Sequence, residues 1–258
     1  MNAAVYDILA LPVLFAVMVL LMKVGNQIGK RRLKGETDQE RVGLVSIETA
    51  IFGLLGLIFA FTYSAAASRF EARRAITIQE ANTIGTAYLR LDLLPAAGQR
   101  SLRTKMRTYA STHLAAYDAL PDYSVYAAKL AQAKTMQSEI WSEAVIAVRD
   151  GPPQLAMLLL PALNDMIDIT VTHEAMTYVH TPRAILATLF ALALACSLLA
   201  GYGLAGSTSY SRYLHMGGFA LILMGTIYIV IDYDYPRFGL IRVDYADQAL
   251  AETVAGMK

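Results

Sequence analysis

Four long hydrophobic stretches dominate the pattern of apolar and polar positions along the chain. Each approaches or reaches the ~20 residues that an α-helix needs to cross roughly 30 Å of hydrocarbon. A helix satisfies its own backbone hydrogen bonds there, which an irregular segment exposed to lipid cannot do. The pattern therefore predicts four transmembrane helices, at residues 8–24, 42–67, 184–205 and 216–231.

The segment between the second and third spans, residues 69–182, is more polar and has helical periodicity. Thr77, Ala81, Ile84, Tyr88 and Leu91 recur at steps of four, three, four and three residues, which places them on one face of a helix. Such a stripe is typical of a packing surface. The segment is therefore predicted to be a helical module.

Prolines mark where further helices of this module are expected. Helices are predicted after Pro95, after Pro121 and from Pro153, the last with a kink at Pro161. The fold class is predicted to be an all-α integral membrane protein, with the module inserted between transmembrane helices 2 and 3. The predicted domains are 1–68, two spans joined by a basic loop; 69–182, the module; 183–232, two spans; and 233–258, a C-terminal tail.

Composition favours a bilayer as the solvent and argues against other classes of protein. The 258 residues are 56% hydrophobic and 17% charged, with a mean hydropathy of +0.42. A formal net charge of +1 offers no overall basic surface to nucleic acid. Cys196 is the single cysteine, so neither a disulfide framework nor a cysteine metal site can be built.

The second span carries a carboxylate and two glycines. Glu48 stands in an apolar context, where an ionised carboxylate costs about 3 kcal/mol unless it meets water or a partner. Because Glu48 lies near one end of the span, a contact with the interface or a neighbouring helix is favoured over a role in permeation. Gly53 and Gly56 permit close helix approach, as do Gly201, Gly203 and Gly206 near the end of the third span.

No group of residues has the spacing that a known catalytic chemistry requires. His173 and Glu174 resemble half of a zinc-protease motif, but His180 follows His173 by seven residues rather than four, or about 10 Å along a helix. Phosphate-binding and nucleophile-elbow motifs are absent as well. The sequence therefore predicts a protein that is not an enzyme and has no cofactor.

A run of charged residues follows the fourth span, at 232–244. Asp232 and Asp234 could offer oxygen ligands to a hard cation such as Ca²⁺, but the run lacks the spacing and the terminal glutamate of an EF-hand loop. A structural turn held by Asp–Arg pairs is therefore favoured over a metal site.

The end of the second span resembles a known family. No helix breaker separates the span from the residues that follow it, so one long helix is expected to enter the module. Ser64-Ala and then Arg69-Phe70-Glu71-Ala-Arg73 are similar to the second-helix signature of bestrophins. Bestrophins have one more residue after the aromatic position, so residues beyond Phe70 are rotated by about 100° relative to that family.

Most of the chain resembles a bacterial family of membrane proteins described as bestrophin-like. The features of that family are found in two segments, 80–90 (EANTIGTAYLR) and 232–242 (DYDYPRFGLIR), and on them the chain is identified as a member. The resemblance implies a homo-oligomer, a pentamer by analogy, in a bacterial inner membrane. Its partners would be the lipid bilayer and small inorganic ions.

Kinship to bestrophins implies an anion channel in which the second helix of each subunit lines the pore. The narrow neck would fall on Gly53, Leu57 and Phe61, which share one helix face at i, i+4 and i+8. A ring of apolar side chains can gate by dewetting, although glycine would widen the ring. The calcium clasp of bestrophins follows the last span, at the position that Asp232 and Asp234 occupy here.

The leading functional hypothesis is therefore an oligomeric ion channel that conducts anions. One alternative is a non-conducting membrane scaffold or sensor, whose helical module binds a partner. Another is a proton-coupled transporter that uses Glu48.

Basic residues leave the orientation in the membrane nearly balanced. The short first loop is basic, and by the positive-inside rule this favours its placement in the cytoplasm and the module outside. Arginines also flank the opposite ends of the spans, and the bestrophin resemblance implies a cytoplasmic module instead. The basic residues of the first loop are Lys23, Lys30, Arg31, Arg32, Lys34 and Arg41.

Overall fold

The computed structural model describes residues 3–32, 38–120, 122–149, 151–206, 209–237 and 239–258. Within these ranges the regular elements are helices, which confirms the all-α fold class. Part of the predicted first loop, residues 33–37, and Pro121 lie outside the described residues.

Eight α-helices are described. They are α1 (Ala3–Arg32), α2 (Asp38–Arg90), α3 (Ala96–Asp118), α4 (Tyr123–Arg149), α5 (Pro153–Thr177), α6 (Arg183–Gly203), α7 (Ser209–Asp234) and α8 (Asp244–Gly256). Short 3₁₀ turns at Leu91–Leu93 and Leu204–Gly206 follow α2 and α6. The 53-residue α2 confirms that one helix continues from the second span into the module.

The ends of the first loop differ from the prediction. Lys30, Arg31 and Arg32 form the last turn of α1 and are not part of a loop, so this boundary was wrong. Basic side chains at a helix C-terminus interact favourably with the helix dipole, which is consistent with the longer helix.

The chain divides into two compact units. The first consists of Met1–Arg69 and His180–Tyr235, and the second consists of Phe70–Val179 and Pro236–Lys258. The first contains α1, α6, α7 and the N-terminal part of α2. The second contains α3, α4, α5, α8 and the C-terminal part of α2.

In the first unit, α1 and α6 pack closely through glycine. A Cβ atom built on Gly201 would lie 2.1 Å from the carbonyl oxygen of Met22, and one built on Gly25 would lie 2.0 Å from that of Leu198. Any side chain would force these backbones apart, because such contacts are far inside van der Waals distance. The predicted close packing at Gly201 is confirmed.

In the second unit, the predicted stripe of α2 forms part of the hydrophobic core. Thr77, Ala81, Ile84, Tyr88 and Leu91 are all buried, at 5% exposure or less. The four apolar members of the stripe, all except Thr77, lie in one hydrophobic core with residues of α3, α4 and α5. The C-terminal residues, predicted only as a tail, form α8 and contribute Leu250 and Met257 to the same core.

Five of the described helices are long and apolar enough to cross a membrane, judged by length and composition. Four of them, α1, α2, α6 and α7, correspond to the predicted spans. The fifth is α5, which has Pro161 inside it and buries one face in the core of the second unit. The number of four transmembrane helices stays a prediction.

Candidate functional site

The membrane part of α2 packs along one face only. Leu55 is 6% exposed and lies with Leu189 and Cys196 of α6, while the ring of Phe52 meets Phe219 of α7 edge-on, with centroids 5.9 Å apart. In the most apolar stretch of α2 only 6% of the residues are buried, against 28% in the corresponding stretches of α1, α6 and α7. The apolar stretch of α2 is therefore the least buried of these four stretches.

Gly53, Leu57 and Phe61 lie on the face of α2 that the contacts with α6 and α7 leave uncovered. Leu57 is 52% exposed and Phe61 is 68% exposed. A Cβ atom built on Gly53 would meet nothing within 4 Å, and the same holds for Gly56, so the described residues show no close helix approach at these two glycines. The three predicted neck residues therefore share an apolar surface that no other described helix of the first unit covers.

Glu48 lies near the start of this helix and is partly buried. A Cβ atom built on Gly203 of α6 would lie 3.8 Å from Glu48 Oε2, so the carboxylate extends along α6. This position agrees with the predicted contact to a neighbouring helix.

Asp234 is held by an ion pair and does not stand open to solvent. Its Oδ1 accepts hydrogen bonds from Nε and Nη2 of Arg69, at 3.0 and 2.8 Å, and its Oδ2 accepts one from the backbone N–H of Thr181 at 2.8 Å. Asp234 is thus paired with an arginine, but that arginine belongs to α2 and not to the run 232–244, where the sequence predicted a turn held by Asp–Arg pairs. A role for Asp232 and Asp234 in binding Ca²⁺ stays a prediction, and among the described residues no group of three or more metal-ligating side chains could hold an ion.

The helix-2 signature residues have different surroundings. In the first unit, Ser64 is exposed. In the second, Phe70 is buried, and Glu71 accepts from Arg74 Nη1 through both oxygens at 3.0 Å. Arg73 is buried and donates to the carbonyl oxygens of Met176 and Val179. It thereby satisfies carbonyl groups at the C-terminal end of α5, where a cation is also favoured by the helix dipole.

The second unit contains a buried charged cluster that the sequence analysis missed. Glu80 of α2 lies between two histidines: its Oε1 is 2.8 Å from His113 Nε2 of α3, and its Oε2 is 2.7 Å from His173 Nδ1 of α5. Glu80 and His113 are completely buried, and His173 is 5% exposed. One carboxylate thus joins three helices in the middle of the bundle.

The cluster lowers the pKa of Glu80. Burial by itself raises the pKa, but the electrostatic attraction and the hydrogen bonds of the two histidines together outweigh it and lower the pKa to about 2. Glu80 is therefore ionised at neutral pH although it has no contact with solvent.

The sequence did contain one signal of this cluster. Glu80 stands three residues after Thr77 and four before Ile84, so it lies on the packing stripe of α2, where a charge requires a partner. His113 likewise lies on a buried stripe of α3, together with Leu102, Met106 and Tyr109. The pairing of Glu80 and His113 depends on how the helices pack, and the sequence presents His173 only as half of a protease motif.

The fold is similar to that of solved bacterial membrane proteins. A bacterial bestrophin homologue from Klebsiella pneumoniae, solved by Zn-SAD phasing, is 14% identical, with a TM-score of 0.69 over 93% of this chain and 97% of that chain. A point variant of a bestrophin homologue from the same organism is 13% identical, with a TM-score of 0.69 over 100% and 98%. At these identities the likeness shows the fold alone, an all-helical fold shared with these bestrophin homologues.

The family follows from the sequence match. The bestrophin-like domain matches residues 16–247, which is most of the chain. The chain therefore belongs to the bestrophin-like family, and with its long apolar helices it is a membrane protein. No match was found among curated proteins.

Proposed function

We propose that this protein is an oligomeric ion channel whose pore is lined by the membrane part of α2. The observation that supports it best is the uncovered face of Gly53, Leu57 and Phe61. Residues 1–68 and 183–232 would carry the spans, and the module of residues 69–182 would lie outside the bilayer. Membership of the bestrophin-like family and the bestrophin fold support the same function.

The proposal is based on how the width of a pore and the polarity of its lining decide whether water fills it. If several copies of α2 surround one axis, Leu57 and Phe61 form two adjacent apolar rings, and such rings can exclude water until they move apart. Gly53, which has no side chain, would form a wider ring one turn away. The uncovered face would then meet the pore, while the opposite face packs on α6 and α7 as observed.

Selectivity for anions is proposed from the bestrophin resemblance. The arginines that follow the exposed face on α2 do not give further support to anion selectivity, because each is paired with a group of its own unit. Arg69 pairs with Asp234, Arg74 pairs with Glu71, and Arg73 donates to backbone carbonyls. Reversal potentials measured in asymmetric chloride solutions test this point.

Recording in planar lipid bilayers tests conduction itself. The purified protein is expected to conduct, and the variants Leu57→Ala and Phe61→Ala are expected to change the unitary conductance or the closed time, because each enlarges an apolar ring. Leu221→Ala is the matched control: Leu221 of α7 is a leucine of similar exposure, 58%, and it should leave conductance unchanged.

Two results would contradict the channel proposal. The first is silence of the wild-type protein under varied pH, calcium and voltage. The second is equal conductance of the wild type, Leu57→Ala and Phe61→Ala. Silence together with a changed oligomeric state in Leu57→Ala, measured by native mass spectrometry, would favour the scaffold instead, with the exposed face acting as a subunit contact. The same mass measurement on the wild type tests the expected pentamer.

A further inference from the structure

The two histidines of the buried cluster are not equivalent, because only one of them has partners for both ring nitrogens. Nδ1 of His173 donates to Glu80, and its Nε2 lies 3.5 Å from Thr77 Oγ1. The hydroxyl of Thr77 donates to the backbone carbonyl of Arg73 at 2.9 Å, which leaves Oγ1 as an acceptor for a second N–H of His173. Both N–H groups of a doubly protonated His173 therefore have an acceptor: Glu80 for Nδ1 and Thr77 for Nε2.

His113 has a different environment. Its Nε2 donates to Glu80, and its Nδ1 is buried and has no hydrogen-bond partner. A lone pair on this nitrogen can be accommodated, but a proton there would be a buried donor without an acceptor, which is destabilising. His113 is therefore neutral in this arrangement, with its proton on Nε2.

Aromatic contacts agree with a charge on His173. The His173 ring stacks on Tyr117 with centroids 4.4 Å apart and an interplanar angle of 20°. A cation over the face of a tyrosine ring is attracted by the ring electrons. His113 approaches the same Tyr117 edge-on, at 5.0 Å and 83°, and it stacks on Tyr109 at a longer centroid distance of 5.6 Å.

Charge balance leads to the same assignment. Ionised Glu80 needs one positive partner, since an uncompensated buried charge is strongly unfavourable. One imidazolium makes the cluster neutral, none leaves it at −1, and two bring it to +1. The neutral state has one proton more than the −1 state and one fewer than the +1 state, so the cluster can respond to pH in both directions.

We propose that Glu80, His113 and His173 form a proton-sensing latch in the helical module. At neutral pH, the positive charge of His173 neutralises Glu80. Neutral His113 links α3 to α2 through its hydrogen bond to Glu80. When the pH falls, a second proton binds Nδ1 of His113, where it has no acceptor and adds a positive charge in the interior. The contact between α3 and α2 then loosens, and it forms again when the proton leaves.

The other titratable groups that face His113 do not compete for this proton. Tyr109 and Tyr117 of α3 and Tyr126 of α4 surround the cluster, and burial raises the pKa of all three phenols, so they stay neutral. Arg237 lies over the ring of Tyr117, with its guanidinium carbon 5.7 Å from the centroid, and it is paired with Asp247. The charges that control the latch are thus those of Glu80 and His173.

Histidine NMR tests the protonation states without touching the cluster. The chain has four histidines, and two of them, His180 and His215, lie in the first unit. The full-length double variant His180→Asn/His215→Gln, labelled at histidine ring carbons, contains only the two imidazoles of the latch. At pH 7.5 one is expected to be charged and the other neutral, and the second should take up its proton on acidification. Two neutral imidazoles at pH 7.5 would overturn the proposal.

Tryptophan fluorescence tests whether this proton loosens the module. Trp141, the single tryptophan, lies on α4 one turn after Gln137, whose amide donates to Tyr109 Oη at 2.9 Å. Its emission should change reversibly on acidification, over the same pH interval in which NMR shows the second imidazole taking up its proton. An unchanged emission while the second imidazole becomes charged would also overturn the proposal.

The variant His113→Gln separates a latch from a merely structural network. Glutamine can donate to Glu80 but cannot bind a proton, so the fluorescence change should disappear. A structural role predicts instead an equal loss of thermal stability at pH 7.5 and pH 5.5, with the fluorescence change kept. His215→Gln is the control and should leave the change in place.

Discussion

The part of α2 in the first unit and the part in the second unit bury their side chains to very different extents. In the first, Leu57 and Phe61 are more than half exposed, although both are apolar. In the second, Ile84 and even the charged Glu80 are completely buried. One helix therefore leaves an apolar face uncovered in one unit and encloses a carboxylate in the other.

The difference shows that burial in this chain follows the number of helices around α2 and not the polarity of its residues. In the second unit α2 lies in a core with α3, α4 and α5, which surround a carboxylate only because two histidines pair with it. In the first unit one face packs on α6 and α7 and the other stays uncovered. An apolar face of that kind is suited to lipid, to a neighbouring subunit or to a pore, and function is expected there.

Among these predictions, removal of the buried carboxylate of Glu80 should cause the largest loss of stability. Glu80→Ala leaves two buried imidazoles without their partner, and the loss of one member of a buried charged pair typically costs about 3–5 kcal/mol. Chemical denaturation followed by Trp141 fluorescence measures this. Glu71→Ala is the control, since Glu71 is on the same helix but 64% exposed, and it should change stability little. Equal effects of the two variants would contradict the central role of Glu80.

The contribution of Glu80 to stability should also depend on pH. Its pKa falls from 4.5 to about 2 in the folded protein, so its contribution is fully present above about pH 4.5 and is lost as the pH falls toward 2. A difference of this size is on the order of 3 kcal/mol. The stability difference between wild type and Glu80→Gln, measured by denaturation at several pH values, should narrow over that interval. A difference that stays constant between pH 5 and pH 2.5 would exclude a lowered pKa.

Two glycines in the first unit should respond very differently to alanine. Gly201→Ala places a methyl group 2.1 Å from a backbone oxygen of α1 and should destabilise the protein by about 2 kcal/mol, since the helices must move apart. Gly53→Ala meets nothing within 4 Å and should leave stability unchanged or raise it slightly. Thermal unfolding in detergent compares them. Equal losses of stability would mean that Gly53 is also covered.

Removal of a single methylene should give the smallest effect and compare the two parts of α2 directly. Ile84→Val removes it from a completely buried site and should lower the free energy of unfolding by about 1 kcal/mol. Ile47→Val makes the same change where the side chain is 60% exposed and should be close to neutral. Denaturation measures both variants. A cost at Ile47 as large as at Ile84 would show that the membrane part of α2 is packed in the assembled protein, which favours a subunit contact at that site.

Much of the fold could be predicted because it depends on local patterns. Hydrophobic length predicted spans that correspond to α1, α2, α6 and α7, and the absence of a helix breaker predicted that α2 continues past Arg69. The stripe from Thr77 to Leu91 predicted which face of α2 would be buried. These features need only the period of a helix and the width of a bilayer.

Part of the candidate site could not be predicted in this way. The partners of Asp234 and Glu80 stand 165, 33 and 93 positions away along the chain, so no local pattern links them. The sequence shows arginines close to Asp234, but in the structure its partner is the distant Arg69. Anion conduction, a pentameric assembly, an absence of catalysis and the orientation in the membrane stay predictions.

The sequence by itself determined that this is an all-helical membrane protein of the bestrophin-like family, and that Gly53, Leu57 and Phe61 share one face of its second helix. Only the tertiary structure decided that this face is left uncovered, and that Glu80 is enclosed between His113 and His173. The physical reason is that helical periodicity is a property of neighbouring residues. Whether a face is covered, and whether a buried charge is neutralised, depends on which distant helices pack against it.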